Sequence, residues 1–158
     1  MPTFSISSNG RLEKTVVFYN GEQLTGLKEI YININEEGNF EAIIQYQGTD
    51  KKIYVFNIFE DYLINLKTTE PTLTDLELEN LITLTIESDG NLENTSVFID
   101  DEYQEGVVSL YVHIKGADNK DGIRKFLSSK YYIPDTPELF TEIIFRNEDG
   151  SIDKEKIF

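Results

Sequence analysis

Residues 5–34 read SISSNGRLEKTVVFYNGEQLTGLKEIYINI, and residues 85–114 read TIESDGNLENTSVFIDDEYQEGVVSLYVHI. With a constant shift of 80 and no gap, the two stretches agree at twelve of 30 positions. The identities are Ile6/Ile86, Ser8/Ser88, Gly10/Gly90, Leu12/Leu92, Glu13/Glu93, Thr15/Thr95, Val17/Val97, Phe18/Phe98, Glu22/Glu102, Gly26/Gly106, Tyr31/Tyr111 and Ile34/Ile114. Several other positions differ conservatively, among them Asn9/Asp89, Ile30/Leu110 and Ile32/Val112. Chance would supply about two identities over such a window at ordinary residue usage. The chain carries one unit twice.

The unit reads as an antiparallel meander. Residues 3–7 alternate, and Ser8-Asn9-Gly10 signals a turn. Residues 14–19 are rich in β-branched and aromatic side chains, and Asn20-Gly21 follows. Both turn residues tolerate positive φ, which a two-residue hairpin needs. Residues 27–34 place Ile30, Ile32 and Ile34 on one face of a longer strand and Tyr31 on the other. Residues 40–46 and 53–59 predict a further hairpin around Gly48-Thr49-Asp50. In the second copy Asp100-Asp101 replaces Asn20-Gly21, which predicts a more acidic loop of a different turn type. Thr136-Pro137-Glu138 resembles a helix start, with proline at the first helical position, and predicts a short helix through Phe145. The expected fold is mainly β: two homologous antiparallel β units in tandem, residues 1–67 and 81–158, the second with a short helix near the C-terminus. Residues 68–80, rich in threonine, read as the linker, and 75–81 as one helical turn or an extended segment.

The chain has 158 residues, 29 acids against 14 bases, and a net charge of −15. The excess is even: 13 acids and 6 bases before residue 81, 16 and 8 after it. Such a field opposes DNA, RNA and anionic membrane and favours basic partners. There is no cysteine, hence no disulfide and no thiolate chemistry. Residues 1–5 show no signal peptide and no apolar run approaches a membrane span, so a cytoplasmic chain is expected.

Catalytic signatures are sparse. The single histidine, His113, lies mid-strand with Asn33 as its counterpart, and reads as a structural or surface residue. Taking Gly150 as the sixth position of a calcium loop puts Phe145 first and Lys156 twelfth, where oxygen ligands belong. The loop at Asp118–Gly122 fails similarly, with Ala117 first. No phosphate-binding glycine loop and no zinc motif occur. The expectation is a non-enzyme without metal or cofactor. Attention moves to the acidic surface: Asp100, Asp101, Glu102 and Glu105, with the repeated exposed-type carboxylates Glu13, Glu93, Glu22 and Glu102, since shared surface charge contributes little to folding. Tyr131 and Tyr132 are the aromatic candidates for an apolar contact.

The repeated pattern, Ser-Asn/Asp-Gly, Leu-Glu, Thr-x-Val-Phe and the later glycine, resembles short β-hairpin repeats in small acidic proteins of phages and prophages of Gram-positive bacteria. The resemblance spans about 30 residues per copy and carries over no catalytic residue. It implies two classes of role. One is an inhibitor of a host nucleic-acid-binding defence protein, of anti-CRISPR or DNA-mimic type, acting in the host cytoplasm. The alternative is a structural virion or tail-associated protein.

Overall fold

The computed structural model describes residues 1–116 and 139–158. In chain order the strands are β1 (Thr3–Ser8), β2 (Thr15–Tyr19), β3 (Glu22–Leu24), β4 (Leu27–Asn35), β5 (Phe40–Gln47), β6 (Ile53–Asn57) and β7 (Thr68–Thr69), then β8 (Ile82–Glu87), β9 (Ser96–Ile99), β10 (Glu102–Tyr103), β11 (Val107–Lys115), β12 (Leu139–Arg146) and β13 (Ile152–Glu155). One short helix, α1 (Asp75–Glu79), precedes β8. The protein is mainly β, as expected. Every strand pairing is antiparallel.

The strands form a seven-stranded sheet, β10-β9-β8-β1-β2-β3-β7, and a six-stranded sheet, β13-β12-β11-β4-β5-β6. Each sheet is half one repeat and half the other, joined by β1–β8 in the first and β4–β11 in the second. At the first seam Ser5 pairs with Thr85, its own counterpart under the shift of 80. At the second seam Ile32 pairs with its counterpart Val112. A residue that faces its own copy marks a two-fold axis, so one pseudo-two-fold axis pierces both sheets.

Period-two alternation aims one face of each sheet at the other. Phe4, Ile6, Leu84 and Ile86 from the first sheet and Ile30, Ile32, Ile34, Leu110, Val112 and Ile114 from the second belong to a single core cluster. Burying each such side chain contributes about 1.5–3 kcal/mol. Across the first seam the outward hydroxyls pair: Ser5 with Thr85 at 3.0 Å, Ser7 with Thr83 at 2.7 Å.

The repeated Gly26 and Gly106 have a shared reason. Both adopt positive φ, 78° and 73°. A Cβ would stand 2.8 Å from the Gln47 carbonyl oxygen in one case and 2.6 Å from that of Arg146 in the other. Each glycine carbonyl accepts from that same residue's N–H, at 2.8 Å. Only glycine admits so close a crossing.

Two sequence expectations are corrected. Residues 139–146 form a strand, not a helix. Leu139, Ile143 and Phe145 pack on the core with buried Thr141 between them, so every second position faces inward, and β11 pairs with the segment from Leu139 to Phe145. That period-two burial outweighs the local helix-start signal, whose residues 136–138 lie outside the described ones. Second, Asp100-Asp101 adopts the same kind of turn as Asn20-Gly21. Asp100 and Asp101 have φ of 51° and 67°, Asn20 and Gly21 of 51° and 84°. Aspartate, like asparagine, tolerates this region and bonds nearby backbone. The Thr83 N–H donates to Asp100 Oδ1 and the Thr3 N–H to Asn20 Oδ1, both at 2.9 Å.

Between the repeats, Thr74 caps α1 through a capping box with Glu77, and no residue of the helix is buried. Among the described residues no helix is long and apolar enough to cross a membrane.

Candidate binding surfaces

The sequence-predicted carboxylates do not gather in one patch. Asp100 and Asp101 occupy the β9–β10 turn, and Glu102 opens β10 at one edge of the seven-stranded sheet. Glu22 opens β3, toward the opposite edge. Glu105 is exposed in the short connection to β11. Glu13 and Glu93 sit in one-turn 3-10 segments, Leu12–Lys14 and Leu92–Asn94. Tyr131 and Tyr132 lie outside the described residues.

What the fold adds is a groove. Asp100 and Asp101 meet Asp75 and Glu79 of α1 around an open cavity of about 520 Å³, walled also by Leu78, Leu81 and Thr83. Four carboxylates line it, and no basic side chain stands among the described residues that line it. The Thr83 N–H binds Asp100 Oδ1 at 2.9 Å, and the capping box closes the first turn of α1. Asp75 and Glu79 escaped the sequence reading because they fall in the stretch taken for a linker.

The repeats also build two equivalent clefts between the sheets. Leu12, Thr15, Val17, Leu27 and Ile30, with Ile114, line one of about 210 Å³. Their counterparts Leu92, Thr95, Val97, Val107 and Leu110, with Ile34, line the other, of about 170 Å³. Glu13 and Glu93 adjoin these clefts through Leu12 and Leu92. The walls differ: Lys28 in the first stands where Val108 stands in the second, and Glu36 in the second where Gly116 stands in the first.

A third feature lies on the face of the six-stranded sheet turned away from the core. His113 Nε2 is 2.6 Å from Glu29 Oε2, with side chains only 5% and 3% exposed. Tyr31 contacts both His113 and Tyr111 edge-on, with ring centroids 6.2 and 5.7 Å apart. Burial, and then the neighbouring Tyr31 and Glu29, push the Tyr111 hydroxyl up to about 12. That hydroxyl has no hydrogen-bond partner among the described residues. The pair breaks the pseudo-symmetry. Glu29 and His113 lie across the β4–β11 seam, and the reciprocal positions hold Ser109 and Asn33. Sequence reasoning found His113 but not Glu29. The repeat alone held no signal for it: positions 29 and 113 become diagonal neighbours only once β4 and β11 pair about their own two-fold. Among the described residues, no group of three or more His, Asp or Glu side chains is placed to hold a metal ion.

No protein-family model, curated protein or solved structure matches this chain.

Proposed function

We propose that this chain is a non-enzymatic acidic binding protein that docks on the basic, nucleic-acid-binding face of another protein, in the manner of a phage-type inhibitor of a host defence protein. The observation that carries the reading is the groove of Asp75, Glu79, Asp100 and Asp101, four carboxylates with no base among the described lining residues, on a chain of net charge −15. Grouped carboxylates offer a basic groove what phosphates offer it, and the release of counterions drives such contacts. The buried Glu29–His113 pair, closed from solvent, supports a role in positioning the seam rather than in turning over a substrate.

Three of the four outer strands bear against assembly into a virion by strand addition; the fourth, β6, is five residues long and uncharged and leaves one edge open to it. β7 and β10 have two residues each, and β13 carries Asp153, Lys154 and Glu155. Short and charged edges are poor templates for a further strand.

The test is capture from host lysate on immobilised protein, followed by elution with duplex DNA or with salt. A partner of the expected kind is released by both, and is not retained by the quadruple variant Asp75→Asn, Glu79→Gln, Asp100→Asn, Asp101→Asn. A partner indifferent to DNA, salt and the variant sinks the proposal. Rings or larger assemblies of the pure protein in solution would instead support the virion role.

A further inference from the structure

We propose that Asn20 is a site of spontaneous, imide-mediated deamidation, and that the conversion gives the first turn the charge its counterpart already has. The chain holds two Asn-Gly dipeptides, Asn9-Gly10 and Asn20-Gly21. Under the repeat, both asparagines have aspartate counterparts, Asp89 and Asp100. The aspartates make the same local bonds. Asn9 Oδ1 accepts from the Arg11 N–H at 3.1 Å, and Asp89 Oδ1 from the Asn91 N–H at 2.9 Å. Asn20 and Asp100 each accept from the strand across the seam-side hairpin, at 2.9 Å. The fold thus already contains the deamidated form of both sites.

In the reaction, the glycine backbone nitrogen attacks asparagine Cγ. The N–Cγ bond forms, the Cγ–Nδ2 bond breaks, and ammonia leaves carrying the proton from the glycine nitrogen. A cyclic imide remains. Water then opens it at either carbonyl, giving aspartate or isoaspartate, with no change of oxidation state. An N–H donated to Oδ1 lies where negative charge develops in the tetrahedral intermediate, and both asparagines have such a donor.

The two sites differ at the nucleophile. The Gly10 N–H donates to Ser8 Oγ at 3.0 Å. A Cβ on Gly10 would lie 3.3 Å from the Phe158 backbone, so this turn is packed against the chain's last residue. Gly21 is exposed and has nothing within 4 Å of its Cβ position. Its N–H makes no hydrogen bond among the described residues. The free nitrogen at Gly21 can leave the amide plane and reach Cγ, while the one at Gly10 must first give up its bond. Conversion at position 20 to aspartate preserves the acceptor for Thr3, as Asp100 does for Thr83. It adds one negative charge beside Glu22, matching Asp100 and Glu102. Isoaspartate would insert a backbone methylene into a two-residue hairpin and disturb it.

The experiment incubates the full chain in mildly alkaline buffer and follows both peptides by mass spectrometry that separates aspartate from isoaspartate. The expected result is NH2-to-OH exchange several-fold faster at Asn20 than at Asn9 in the native protein. The bias should disappear in denaturant, where the two dipeptides become alike. Asn20→Asp should fold with an unchanged Tm, and Ser8→Ala, if folded by circular dichroism, should speed conversion at Asn9. Equal native rates, or a bias that persists in denaturant, would overturn the proposal.

Discussion

The two halves are built on one plan and differ in their loops, at the buried Glu29–His113 diagonal and at the ends of the core. They share the seam pairing, the hairpin turn geometry and the crossing glycines Gly26 and Gly106. They differ in the loop between the fourth and fifth strands of the unit. In the first half Glu36 to Asn39 suffice; in the second the same connection runs from Gly116 to the start of β12 at Leu139. They differ also in how each closes its end of the core. The first half follows β6 with Ile58, Phe59 and Leu63, and the second follows β13 with Ile157 and Phe158. The shared positions are those that two copies need in order to pair about an axis. The changed positions carry polarity: Lys28 and Glu29 against Val108 and Ser109, Asn20-Gly21 against Asp100-Asp101. A duplicated β unit keeps its backbone geometry and varies the side chains that geometry leaves free.

The strongest way to break the comparison is at the axis. Ile32→Ala removes a fully buried side chain facing its own counterpart, and should cost about 4 kcal/mol of stability, as large-to-small core changes do. Because both sheets are shared, urea unfolding should remain one cooperative transition for this variant. Two separable transitions would show that the halves are thermodynamically independent.

The Glu29–His113 diagonal comes next. Glu29→Ala leaves His113 buried without its carboxylate, and a stability loss of about 2–3 kcal/mol is expected. The double change Glu29→Ser with His113→Asn copies the reciprocal Ser109–Asn33 diagonal onto this one. It should recover much of the loss in thermal denaturation. No recovery would mean that the Glu29–His113 pair does more than fill the symmetric position.

At the turns the effects shrink. Asp101 holds a positive φ that glycine adopts at the equivalent Gly21. Asp101→Gly should therefore raise stability by about 0.5–1 kcal/mol, and Gly21→Asp should lower it by a similar amount. A destabilised Asp101→Gly would show that the carboxylate does more for the fold than the backbone strain costs.

The smallest effect concerns Glu36, which Gly116 replaces in the second half. Arg146 bonds it with two nitrogens, at 2.8 and 2.6 Å, and holds its carboxyl below the usual range. A depressed pKa in the folded state means stability that is present above the unfolded value and lost as pH falls through the folded one. Glu36→Gln should lower Tm slightly near neutrality, and the difference should vanish on acidification. A gap that persists in acid would point away from the ion pair.

Much of the architecture was legible in the chain. The shift of 80, the alternation around Ile30, Ile32 and Ile34, and Asn20-Gly21 determined strands, hairpins and an all-antiparallel, duplicated plan, because strand faces and tight turns depend on neighbouring residues. The failures were also local in origin. Thr136-Pro137-Glu138 argued for a helix that β11 overrode with a ladder through Phe145. Asp100-Asp101 argued for a new turn that the shared hairpin geometry overrode. What only the tertiary structure decided is which copies pair, and therefore which side chains become neighbours. The sequence has no term for the seam that sets Ser5 against Thr85 and Ile32 against Val112. Glu29 meets His113 across 84 residues, and Asp75 and Glu79 reach Asp100 and Asp101, because long-range pairing is set by burying two apolar sheet faces together, a property of the whole fold and of no single stretch.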